Sequence, residues 1–171
     1  LELLKKGVQD WNIWRKNNQT LRPNLKGANL REANLIGIDL RNTYLTRAYM
    51  PSANLESSNL SGAHLLGANL RNANLSDAIL NDSSLRNADL KYAKFTSSQL
   101  ENADLRDSRL HGADFNGANL QSADLSRANS SKSNFSNANL IGAKLYRAGF
   151  TGSNLSNAIL KQVSLYETAF I

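Results

Sequence analysis

His64 and His111 are the only histidines in this chain, and it has no cysteine. An imidazole can bind a metal or pass a proton only with a second ligand or a reacting group within hydrogen-bond reach. The two histidines do not form an H-x-x-x-H pair, and neither a phosphate-cradling glycine loop nor a G-x-S-x-G elbow accompanies them. The lack of thiols removes disulfide and thiolate chemistry and leaves the compartment open. The expectation is a chain without catalytic residues, metal ligands or cofactors, one that is not an enzyme. The spacing that stands out is cationic. Arg86 and Arg106 are twenty residues apart, as are Arg127 and Arg147, and Arg71 and Lys91; Tyr146 and Tyr166 repeat the same interval. Arginine beside tyrosine is a common composition for a docking surface, so the chemistry to look for is recognition of an acidic partner.

The elements that carry these residues follow from a period of five. From Leu25 to Phe170 every fifth residue is large and apolar, with Ser130 the one lapse. Two residues before each sits a small residue such as Ala28, Ala53 or Ala68, and the residue between is most often Asn or Asp. On a helix five residues advance 140° beyond a full turn, which scatters the leucines around the circumference, so no apolar face forms. On a strand the small residue and the leucine two later share a face. Because five is odd, the chain must bend in every pentapeptide to keep both pointing inward. Repeated bends of one hand make a coil that stacks on itself, with parallel hydrogen bonds between coils: a β-solenoid. Phe95, Phe115 and Phe135 recur at twenty, as do Phe150 and Phe170, which suggests four sides per coil.

The tandem A-(N/D)-L-x-x pattern, as in Gly27-Ala28-Asn29-Leu30-Arg31 and Gly117-Ala118-Asn119-Leu120-Gln121, resembles the pentapeptide-repeat family across residues 23–171. The resemblance implies an all-β solenoid, a right-handed four-sided parallel β-helix of about 7 coils, roughly 36 Å long at about 4.8 Å per coil. It also implies a bacterial, often cyanobacterial, setting and regulation through protein contacts. Some members bind type II topoisomerases by imitating duplex DNA.

Residues 1–22 depart from the repeat. Leu1, Leu4, Val8, Trp11 and Trp14 form an amphipathic stripe, with Lys5, Lys6, Asp10, Arg15 and Lys16 on the other faces. This predicts one short N-terminal helix that ends near Asn17-Asn18 and caps the open strand edges of the first coil. At the other end Phe170-Ile171 is still in register, and the last coil is expected either to meet a second copy of the chain in a homodimer or to continue into a further C-terminal segment. At Ser130, Phe150 is expected to lean into the space left by the missing leucine. The apolar stretches are too short to span a bilayer, and the expected location is the cytoplasm; a removed targeting segment is compatible with a chain that starts at Leu1.

The chain carries 20 Lys and Arg against 14 Asp and Glu. If the sides are named A to D from Leu25, Leu30, Leu35 and Leu40, sides A and B hold the excess positive charge and sides C and D a slight excess of negative charge. Arg86, Arg106, Arg127 and Arg147 line the A/B edge, next to Arg71 and Lys91, with Tyr146 and Tyr166 in the Arg86 column. Asp104, Asp107 and Asp124 stand near enough to neutralise part of this edge. DNA imitation requires an acidic rod, and this chain is basic. Direct electrostatic binding of nucleic acid fits the sign but lacks clustered exposed aromatics. The reading is a non-catalytic scaffold or regulatory adaptor that presents a rigid surface to an acidic protein.

Overall fold

The computed structural model describes residues 2–170. From Asn24 onward every pentapeptide makes one single-residue parallel bridge and one two-residue turn, and each bridge joins residue i to residue i+20, from Asn24 with Tyr44 to Gly149 with Ala169. Twenty residues therefore close one coil, and the coil has four sides.

The backbone hydrogen bonds explain the repeat. In A-N-L-x-x the Leu N–H donates to the coil above (Leu25 N to Tyr44 O, 2.8 Å), as does the second x (Gly27 N to Thr46 O, 3.0 Å). The residue before Leu donates to the coil below (Tyr44 N to Pro23 O, 2.9 Å), and the small residue closes the turn (Ala28 N to Leu25 O, 3.1 Å). The N–H of the first x has no partner in this scheme, and a side chain supplies one. Each Asn or Asp preceding the core residue accepts it through Oδ1 at 3.0–3.4 Å, as Asn74 does for Ser76. Asparagine recurs there because it completes the backbone accounting. The second x is always left-handed, with φ of 54–68°, a conformation open to Gly and tolerated by Asn and Asp.

The core is a narrow column. Its leucines and alanines between Leu40 and Leu145 are almost wholly excluded from solvent. Phe95, Phe115 and Phe135 stack at centroid distances of 4.6 and 4.8 Å, nearly parallel, and Phe150 stacks on Phe170 at 5.6 Å. Ser130 is buried with its hydroxyl unpartnered, and Phe150, one coil along in the same column, meets Phe135 on the adjacent side at 5.2 Å and 57°. In the last coil Leu160, Leu165 and Phe170 remain 39%, 45% and 43% exposed.

The N-terminal segment differs from the single helix expected. It forms α1 (Glu2–Lys5) and α2 (Val8–Asn17), separated at Gly7, whose φ of 115° breaks the helical path. Leu4 and Trp11 are buried, whereas Val8 and Trp14 are only partly so; Leu1 lies outside the described residues. Arg15 needs a larger correction: far from being on a solvated face, it is 1% exposed. Its guanidinium donates to the carbonyls of Asn18, Leu21 and Arg41, tying the end of α2 to the first coil. The pattern of apolar residues could not show this, because the long side chain is buried by hydrogen bonds to backbone oxygens. Trp11 Nε1 donates to Asp39 O (2.7 Å), and Asn12 both accepts from Asp39 N and donates to Gly37 O (2.9 Å each). These side chains occupy ladder groups of the first coil that have no coil below them.

Candidate interaction surface

Bridging at i+20 aligns the side chains of one slot into a column along the rod, so residues far apart in sequence become neighbours. Arg86, Arg106, Arg127 and Arg147 do lie on side A, and each faces an acid. Arg106 holds Asp104 with paired hydrogen bonds of 2.8 and 2.6 Å, and Arg127 holds Asp107 with bonds of 2.7 and 2.8 Å. Arg147 pairs with Glu167. Arg86 is the loosest, with Nε 3.9 Å from Asp104 and no hydrogen bond.

The electrostatics follow this pairing. Burial pushes the Asp104 carboxyl up, but the hydrogen bonds and charge of Arg106, with Arg86, outweigh it and hold it below its ordinary value. Hydrogen bonds from Arg127 and from Arg147 likewise hold Asp107 and Glu167 down, and the three paired arginines are shifted upward. Tyr146 and Tyr166 stack at 5.7 Å, and the Arg147 guanidinium lies over Tyr146 at 5.0 Å. The row is ordered and largely self-neutralised.

Side B is different. Arg71 and Arg109 share one carboxylate, Asp89, at 3.5 and 3.9 Å, while Lys91 and Lys132 make no ion pair among the described residues. The exposed aromatics here are Tyr49, 41% exposed, and Tyr92, 48% exposed and edge-on to His111 at 5.5 Å. Charge by side sets Arg71, Lys91, Arg109 and Lys132 together on side B, of which only Arg71 and Lys91 were expected in the site, and it carries no sign of Tyr92 or His111. The sequence held one signal for them: Tyr92 is the only aromatic in the left-handed slot. The other histidine, His64, stacks on Tyr44 at 4.9 Å and lies in a different column.

Two shallow clefts, of about 200 and 320 Å³, lie between the helices and the first coil and are lined mainly by Leu4, Leu30 and Leu35 and by Trp11, Trp14 and Leu25. Among the described residues, His, Asp and Glu nowhere cluster as a metal site would require, and no helix is long and apolar enough to cross a membrane.

The sequence model for pentapeptide repeats matches eight copies here, over segments running from residue 24 to residue 170. The chain belongs to the pentapeptide-repeat family. This pentapeptide-repeat chain is accordingly a right-handed quadrilateral β-helix. It is similar to a trypsin-treated variant of QnrB1, a plasmid-mediated fluoroquinolone resistance protein, at 26% identity and a TM-score of 0.70. That match covers 74% of this chain and 64% of the QnrB1 chain. It is also similar to HetL, involved in heterocyst differentiation regulation in the cyanobacterium Nostoc sp. strain PCC 7120, at 28% identity, with 91% and 94% covered and a TM-score of 0.32. Rfr23 from the cyanobacterium Cyanothece 51142 matches at 28% identity, with 94% and 97% covered and a TM-score of 0.26. No curated protein matches the chain.

Proposed function

We propose that this protein is a non-catalytic interaction scaffold, a regulatory adaptor whose rigid rod presents the positive columns of sides A and B to an acidic protein surface. The observation that carries the reading is the column itself: coil stacking sets Arg71, Lys91, Arg86, Arg106, Arg127 and Arg147 at fixed intervals on an insertion-free rod. Tyr146 and Tyr166 extend the same surface toward the last coil. A preorganised surface loses little entropy on docking, and charge complementarity favours encounter and register. Resemblance to proteins of resistance and developmental regulation is compatible with such a role.

The test is affinity capture from nuclease-treated cell extract, comparing the wild type with a variant in which these six cations are changed to glutamine. Saturable retention of one protein by the wild type alone is the expected result. Identical retention by both overturns the assignment of the surface. Imitation of duplex DNA remains the competing reading, and inhibition of a purified type II topoisomerase would restore it. The exposed apolar slots at Leu160, Leu165 and Phe170 favour a second copy of this chain as a further partner; a concentration-dependent dimer in sedimentation, lost on Leu165→Lys, would establish that contact.

A further inference from the structure

Tyr92 occupies a position that costs conformational energy. Its φ is 59°, in the left-handed region that bulky side chains avoid, and the other residues in this slot are glycine, short polar or charged. The ring is not sheltered in exchange, since the residue is 48% exposed. The Cδ1–Cε1 edge of its ring packs against Gly112, where a Cβ would come within 2.6 Å of both carbons, so the glycine is needed to seat it. His111 meets it edge-on at 5.5 Å and 90°, and is itself fixed by Ser131 Oγ at 2.8 Å from Nδ1. A tyrosine held in a strained slot, seated on a glycine and buttressed by a histidine is a preorganised aromatic face directed at solvent.

The cations around it outnumber the acids. Lys91 precedes it, Arg109 and His111 lie in the next coil, and Lys132 follows Tyr92 and Gly112 in the same column. Asp89 is the one carboxylate among them and is shared by Arg71 and Arg109 at distances beyond a hydrogen bond. On side A the cations of the arginine row have acids facing them; here four cations stand around one acid. Like charges at coil spacing repel, and an anionic ligand would relieve that repulsion.

We propose that Tyr92, with Arg71, Lys91, Arg109, His111 and Lys132, is the primary recognition site of the rod and takes a short acidic segment of a partner protein carrying an apolar or aromatic anchor. This inference rests on the protein-binding reading and narrows it to one place. The patch spans four coils, about 14 Å, which an extended peptide of four or five residues covers at roughly 3.3 Å per residue. Tyrosine beside arginine is the composition of an interface hot spot. Nucleic acid fits less well: a strand binder uses successive stacking platforms along a basic groove, whereas on this side Tyr49 and Tyr92 stand two coils apart and Asp89 sets a carboxylate among the cations.

The test titrates the full chain with a labelled hexaglutamate peptide and with the same peptide bearing a central tryptophan, by fluorescence anisotropy at low and moderate salt. The wild type is expected to bind both, the tryptophan peptide more tightly. Lys91→Gln with Lys132→Gln should weaken both at least about ten-fold, the size of effect expected of hot-spot residues. Tyr92→Ser, which puts a residue already used in this slot, should abolish the tryptophan advantage with a melting temperature equal to or above that of the wild type. Lys161→Gln, an exposed cation on side D, should change binding less than two-fold. Failure of the wild type to bind either peptide, equal binding by the Tyr92 and lysine variants, or tighter binding of a single-stranded oligonucleotide of the same charge would each overturn the site. If these peptides fail while a captured protein is still lost with the glutamine variant of sides A and B, the scaffold reading stands and only this site falls.

Discussion

Two residue slots outside the core do as much to specify the coil as the leucines. The asparagine before each leucine accepts an N–H that the inter-coil ladder leaves over, so Asn69→Ala should cost about 1 kcal/mol through the orphaned Arg71 N–H. The left-handed slot excludes branching at Cβ: no Val, Ile or Thr occupies it anywhere in the chain. Asn87→Val should therefore destabilise by about 1–2 kcal/mol while Asn87→Gly is neutral or better, as read by denaturant melts. If Phe150 takes up the volume left at Ser130, Ser130→Leu should be neutral to destabilising; a clear rise in melting temperature would contradict the compensation. The inward residues were legible from periodicity alone. The left-handed slot was not read, although its glycines and its lack of branched residues marked it, because apolar patterning carries no information about φ.

At the scale of the element, α2 stands where a preceding coil would be. Trp11, Asn12 and Arg15 bond to backbone groups of residues 37–41 that the ladder leaves open. Trp11→Ala should cost about 3–5 kcal/mol and raise hydrogen exchange first in residues 35–45, with the middle coils unaffected. The same contact has a charge component. Burial pushes the Asp39 carboxyl up, but hydrogen bonds from Arg41 and the charges of Arg41 and Arg15 outweigh it and leave it below its ordinary value. A carboxylate depressed in the folded state contributes stability above its unfolded value, near about 4, and that contribution is lost as pH falls through the folded one. With Asp104, Asp107 and Glu167 depressed in the same direction, the melting temperature should hold from neutrality to about pH 5 and fall below pH 4. Asp39→Asn should shrink that fall. Gly7 signalled the break between the helices, and the amphipathic stripe concealed it. The burial of Arg15 was not visible because its partners, carbonyls of the turn after α2 and of the first coil, are brought together only by folding.

For the whole molecule, stability is close to a sum over coils and their interfaces. An ionisable residue in a central core slot has no partner and no water, so Leu105→Asp should open the stack there and cost more than about 4 kcal/mol; an ordinary melting curve would contradict the register. Four sides per coil were legible from the phenylalanine spacing, and charge by side from the same register. What the sequence could not show was which cations are paired, because Arg106 takes an acid two residues before it, Arg86, Arg127 and Arg147 take acids one coil away, and on side B one acid is shared and two lysines have none among the described residues. That distinction makes side B the face on which the binding account depends. The most direct measurement is site-specific photo-crosslinking in cell extract from a benzophenone amino acid placed at exposed left-handed positions on two sides, Asn72 on side B and Ser97 on side C. The account predicts a covalent adduct with one protein from Asn72 and none from Ser97. An adduct from Ser97 alone, or none from either position, would contradict it.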